Sequence, residues 1–185
     1  MDEKELIEEV KNRWLKAQEI ACFLRNTSTS YQEEFRNLIR EYESAIDDTA
    51  KAMKEFGVWD ECALCGKSPK GSCCAPEVAL WYDVETLTVN VLMGCELPSS
   101  PFYLGHCLFL GERGCLLKAR HYFCVHFLCP NIERKLGADA KSLILKVVGQ
   151  ELLIGLAVIS WLYNHVSAKI LGAQSGNVVV CRDMS

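Results

Sequence analysis

The sequence has no long run of lysine or arginine, and 20 basic against 24 acidic residues leave a formal charge of −4. The basic face that a phosphate backbone selects is missing, so nucleic acid is not an expected partner. An export-type start is also missing: MDEKELIEE is acidic and polar, whereas a secretory signal opens with basic residues and a short apolar stretch. Neither HEXXH nor GxGxxG occurs, and CGKS at Cys65 to Ser68 lacks the upstream glycine of a phosphate loop. No Ser-His-Asp or paired-carboxylate pattern points to hydrolysis, and the C-x3-C-x2-C run of radical enzymes that use adenosylmethionine is absent. These absences leave no particular reaction to expect.

Long apolar runs are scarce too. The richest, Leu143 to Tyr163, is interrupted by Lys146, Gln150 and Glu151, and its unbroken part is about half the ~20 residues a membrane crossing needs. It is expected to be a buried core helix, with no membrane partner.

Cysteine is what the chain has in excess: eleven in 185 residues. Without an export signal the expected compartment is the cytoplasm, where thiols stay reduced and clustered cysteines bind metal or do redox work.

One domain over residues 1–185 is expected, long enough to bury roughly two thirds of its unfolded surface. Residues 1–57 read as a helical hairpin. Leu6, Val10, Trp14, Ala17, Ala21 and Leu24 repeat every three or four positions, the period of one helix face. Cys22 within that segment reads as a small buried hydrophobe. After NTSTS, Ser30 and Glu33 form a capping box, and a second stripe through Phe35, Tyr42, Ile46, Thr49, Met53 and Phe56 stops at Gly57. Residues 58–135 hold the clustered cysteines and the few prolines, with no long helical period; EVALWYD and LTVNVLM suggest a small β-hairpin. Residues 136–185 read as a long helix, stopped at Gly172, and a tail NVVVCRD that suggests a short strand carrying Cys181. The expected fold is mainly α: a helical bundle of an N-terminal hairpin and a long C-terminal helix, with an irregular or small-β, cysteine-rich, metal-binding insertion.

Two groups of thiols carry the chemistry. Cys62-x2-Cys65-x7-Cys73-Cys74 begins with a C-x-x-C turn, which aims two sulfurs at one point, as zinc or iron requires at ~2.3 Å. The second group is Cys107, Cys115, Cys124 and Cys129 at irregular gaps. Eight sulfurs suffice for two four-thiolate sites or for one site with spare thiols. His106, His121 and His126 lie beside the second group as rival ligands, Arg120 is placed to offset thiolate charge, and Cys95 reads as structural.

These elements resemble the YkgJ-type cysteine-rich proteins, described as zinc- or iron-chelating. Their order is a C-x2-C, a CC pair, C-x-F-L, Gly-Cys and Arg-Pro-x-x-Cys. Here it reads Cys62-Ala63-Leu64-Cys65, Cys73-Cys74, Cys107-Leu108-Phe109-Leu110, Gly114-Cys115 and Arg120-His121-Tyr122-Phe123-Cys124, with His121 in the proline position. The match spans about the middle third of the chain. The resemblance implies metal chelation; flagellin lysine methylase is similar around its cysteines, which implies an iron–sulfur enzyme as a further possibility.

Three functions follow as expectations. The first is a metal-binding module, holding zinc or an iron–sulfur cluster in a structural, sensing or interaction role with an unidentified protein partner. The second is an iron–sulfur redox protein or enzyme related to methyl-transfer proteins, and the third a metal-free thiol switch.

Overall fold

The computed structural model describes residues 2–26, 30–68 and 72–167. The Gly172 stop, the tail strand, Cys181 and the Ser30 side chain lie outside them.

The protein is mainly α, in the order α1 (Glu3–Asn26), α2 (Ser30–Glu55), α3 (Val58–Gly66), a 3₁₀ helix (Pro76–Trp81), α4 (Val84–Leu92), strands β1 (Leu110–Gly111) and β2 (Gly114–Cys115), α5 (Tyr122–His126), α6 (Pro130–Lys135) and α7 (Ala138–Leu162). A π-type turn, Tyr163–Ser167, follows α7. The α1 stripe reads directly into the core: all six of its stripe residues are buried. Asp2 and Glu5 start the helix with a reciprocal capping box, each carboxylate accepting from the other's backbone N–H at 2.8 and 2.9 Å. Cys22 is half-buried and accepts from the Asn26 side chain at 3.2 Å, so it is not a core residue.

The two N-terminal helices diverge from their junction. Ile20 and Leu24 of α1 share a core cluster with Phe35 and Tyr42 of α2, but further along α1 packs on α4 and the 3₁₀ helix while α2 packs on α7. This splaying leaves the cysteine-rich segment a seat between the two pairs. Gly57 ends α2 at φ +70°, the left-handed backbone its position foretells.

The β-hairpin expected from EVALWYD and LTVNVLM is helical instead. Pro76 opens the 3₁₀ helix, and Asp83 caps α4 by accepting from the Thr86 N–H at 2.7 Å. Five successive α4 residues, Thr86 to Asn90, are buried. A helix enclosed on all sides tolerates β-branched residues because packing outweighs their weak local preference. The actual hairpin lies further on, pairing Leu110 with Cys115 and Gly111 with Gly114 around Glu112 and Arg113. At Gly111 a Cβ would stand 2.6 Å from Leu116 Cδ2, so a larger residue there would require the exposed Leu116 side chain to move.

Helix α7 buries Ile144, Val148, Glu151, Gly155, Val158, Trp161 and Leu162 along one stripe. With the following turn, Ala138–Val166 is 29 residues whose most apolar 18-residue window has mean hydropathy 1.9, long and apolar enough to cross a membrane by length and composition, and 28% of that window is buried. The expectation of a buried core helix therefore fits one face; Leu153 and Leu156 on the other are exposed.

Candidate metal centre

Four separate pieces of chain bring the thiols together. Cys62 and Cys65 sit on α3, three residues apart and so on one face; the expected C-x-x-C turn is helical. Cys73 and Cys74 lead into the 3₁₀ helix. Cys107 precedes β1, and its backbone N–H donates to the Cys74 carbonyl at 2.8 Å. Cys115 ends β2, Cys124 lies in α5, and Cys129 caps α6.

All eight of these cysteines line one cavity of about 450 Å³. Each of these eight thiols is free. Cys107 is buried, Cys65, Cys74, Cys124 and Cys129 are half-buried, and Cys62, Cys73 and Cys115 are exposed. Burial is nevertheless the largest influence on the Cys62 and Cys115 thiols, so the surface these residues show is in part the cavity wall.

The mutual charge effects sort the thiols into two quartets that differ from the two sequence groups. Cys62 and Cys65 respond to Cys73 and Cys129. Cys74 responds to Cys107 and Cys115, and Cys107 to Cys115 and Cys124. Cys74 and Cys129 have thus changed places relative to the linear grouping, and Cys73 bridges the quartets, acting on Cys74 and Cys124 as well. The Cys74 S–H donates to the Cys73 sulfur, which pulls the Cys73 thiol below its ordinary value and pushes Cys74 above it.

Burial pushes Cys62 and Cys124 up to about 11 and Cys107 to about 12. Without a cation these sulfurs hold their protons at neutral pH, because uncompensated thiolates in an enclosed space repel one another and lose hydration. Hydrogen-bond donors nevertheless point at several of them. The backbone N–H of Cys73 faces Cys65, that of Phe109 faces Cys107 and that of Leu117 faces Cys115, each favouring the anion. Such donors tune thiolate-bound centres.

Tyr82 is a wall residue that sequence reasoning missed. Only 1% exposed, it turns its hydroxyl toward both Cys115 and Cys124, while the His121 backbone N–H faces its oxygen. Its ring is fixed edge-on against Phe109 at 5.2 Å. The signal available in the sequence was only that a buried tyrosine needs a polar partner.

Asn90 was missed for the same reason. It is fully buried, donates to the Thr86 and Ala119 carbonyls at 2.9 and 2.8 Å, and accepts from the Lys118 and Ala119 N–H groups at 2.9 and 3.1 Å. It pins the irregular stretch that delivers Arg120. The Cys95 thiol also donates to Asn90, at 3.4 Å, and lies outside the cavity, in keeping with a structural role.

Arg120 lines the cavity, and its charge lowers Cys62, Cys115 and Cys124. Its guanidinium meets the Met53 sulfur at 3.7 Å. No histidine lines the cavity among the described residues: His121 caps α5 and packs on Trp81 and Tyr82, His106 bonds with the Leu104 carbonyl at 3.1 Å, and His126 is exposed.

Among the described residues no three His, Cys, Asp or Glu side chains converge closely enough to hold one metal ion. The donors ring a space instead of meeting at a point. Their chemistry, eight thiols with backbone N–H donors behind several of them, fits a thiolate-bound group that occupies that space, or an ion around which one quartet closes by side-chain rotation.

The fold and cavity define a helical protein with a cysteine-lined interior. No protein-family model, no curated protein and no solved structure matches the chain. The likeness to the YkgJ-type proteins stands on the quoted cysteine motifs alone.

Proposed function

We propose that this is a cytoplasmic metal-binding protein whose clustered thiolates chelate zinc or an iron–sulfur cluster, as the YkgJ-type likeness implies. The observation that carries the reading is that all eight candidate cysteines, drawn from four pieces of chain, line one cavity. Cys62, Cys65, Cys73 and Cys129 would form one ligand set, and Cys74, Cys107, Cys115 and Cys124 the other. Bound zinc would serve as a structural lock, whereas an iron–sulfur cluster would add one-electron transfer.

In this reading the lining residues have distinct parts. Tyr82 would orient Cys115 and Cys124, Arg120 would offset anionic charge at the seam of the two sets, and the Cys107–Cys74 main-chain bond ties together two stretches that carry the second set. In such a role the centre fastens the segment 58–135 onto the helices and leaves its outer surface for a protein partner. Neither nucleic acid nor a membrane is part of the proposal: the net charge is negative, and Glu151 occupies the buried stripe of α7.

An iron–sulfur redox protein is favoured over closed zinc by one feature, the spread of the thiols. The four thiolates of a [4Fe–4S] cluster each bind a different iron, so the sulfurs stand around the group, whereas a zinc tetrahedron draws four sulfurs to one point. Protein purified without oxygen separates the readings. Brown protein with iron and acid-labile sulfide supports a cluster; colourless protein with stoichiometric zinc supports the structural centre. Protein free of both metals, with mass losses marking paired thiols on oxidation, would replace them with a thiol switch.

A further inference from the structure

A second cavity, of about 480 Å³, opens beside the cysteine-lined one between α2 and the β-hairpin segment. The two share Cys62, Cys115, Arg120 and Cys124 as a common wall. Its volume falls within the roughly 300–1,000 Å³ of small-molecule sites.

The charges in this second cavity are segregated. Glu43 and Asp47, one turn apart on α2, supply its acidic side; Arg113 at the hairpin tip, Lys118 and Arg120 supply its basic side. Among the described residues Glu43, Asp47, Arg113 and Arg120 make no ion pair, although both signs face one space. Lys118 is tethered by donating to the Met93 carbonyl at 2.8 Å. Arg120 has five N–H donors and meets only the Met53 sulfur. Between the charged sides lies an apolar surface that includes Met53, Val58 and Trp59, the last 40% exposed.

We infer that this cavity binds a small amphoteric molecule, its amine between Glu43 and Asp47, its carboxylate or phosphate on Arg113 and Arg120, and its carbon skeleton against Trp59. A half-enclosed guanidinium without an oxygen acceptor is suited to an anionic group, which it binds through paired hydrogen bonds. Two carboxylates that line one cavity with an indole suit an ammonium. A ligand so placed would lie with its anionic end toward the shared cysteine wall. The inference does not depend on which metal, if any, the thiols hold.

The test is calorimetric titration of the full chain, with its metal content measured on the same sample. The probes are ω-amino carboxylates from glycine to aminohexanoate, with hexanoate and hexylamine as one-ended controls. One amino carboxylate is expected to bind about tenfold more tightly than either control, the discrimination a charged hydrogen bond supplies. Asp47→Asn and Arg113→Gln, both exposed and outside the cysteine wall, are each expected to weaken that probe about tenfold, and Trp59→Phe to remove the accompanying fluorescence change. Equal binding of a control, unchanged affinity in both variants, or no binding of any probe by folded protein would overturn the inference. Metal-loaded protein that binds no probe would leave the thiolate proposal standing, and probe binding by metal-free protein would do the reverse.

Discussion

The backbone N–H of Cys107 donates to the carbonyl of Cys74 at 2.8 Å, clamping the two cysteine-bearing stretches through main chain alone. Replacement of either side chain leaves that clamp intact. Cys74→Ser and Cys129→Ser proteins are therefore expected to stay folded, and each to lose metal from a different quartet, roughly half the total per substitution where each quartet holds one four-thiolate site. Metal and sulfide analysis of the two variants checks this; complete loss in both would mean a single shared site.

Metal uptake should strengthen as pH rises. The Cys62, Cys107 and Cys124 thiols are pushed up to about 11 or 12, so at neutral pH an entering cation must displace their protons. Apparent affinity is expected to grow about tenfold per pH unit for each proton released. Metal-free protein should show the opposite trend in stability. An acid whose folded value is raised stabilises the fold below its ordinary value, here 9.0, and that stabilisation is lost as pH climbs through about 11 to 12. Competition titrations and chemical denaturation across that range measure the two slopes.

Tyr82→Phe removes one hydroxyl and keeps the ring that packs on Phe109. Cys115 and Cys124 then lose a donor that favours their anions, and the His121 N–H loses its acceptor. A destabilisation of ~1–3 kcal/mol is expected from the unpaired buried group. Alkylation of Cys115 and Cys124 in metal-free protein, followed by peptide mass analysis, should be slower than in the parent, with Cys65 unchanged as the internal control.

Glu151 is fully buried between α7 and α2, with neither carboxyl oxygen in a hydrogen bond among the described residues. Burial raises its carboxyl above the ordinary value, and the nearby Thr49 hydroxyl and Arg120 charge only partly oppose this. The neutral form is therefore the one the fold favours. Its stabilisation is present below the ordinary value of 4.5 and lost as pH rises through the raised one. Glu151→Gln should be near-neutral in acid and stabilising at pH above the shifted value, by ~1–3 kcal/mol and roughly 2–4 °C in melting temperature per kcal/mol. Melting curves at acidic and alkaline pH test the sign; equal shifts at both would contradict it.

Gly155 faces Tyr42 across the same interface, where an added Cβ would stand 2.8 Å from the ring. Gly155→Ala is expected to cost ~1–3 kcal/mol by overpacking, despite the gain in helix propensity. Urea denaturation is the direct measurement.

The helices with one apolar stripe were legible in the sequence. Leu6 to Leu24 and Phe35 to Met53 follow a period that a single buried face imposes, and Gly57 marks the stop correctly. Helix α4 was not legible, because burial on all sides erases that period and its β-branched residues mimic a strand. The eight cysteines of the cavity were identifiable by type and clustering. Their division was not: which thiol faces which depends on the Cys107–Cys74 clamp and on the seating of α3 and α6. Tyr82 and Asn90 carry no motif, since their importance comes from burial and from partners far along the chain.

The most direct test of the central claim is iron, zinc and acid-labile sulfide analysis of protein purified without oxygen, paired with native counting of reactive thiols. The account predicts stoichiometric thiolate-bound metal and cysteines shielded from the thiol reagent until that metal is removed. Metal-free protein whose eight cavity thiols all react at once would contradict it.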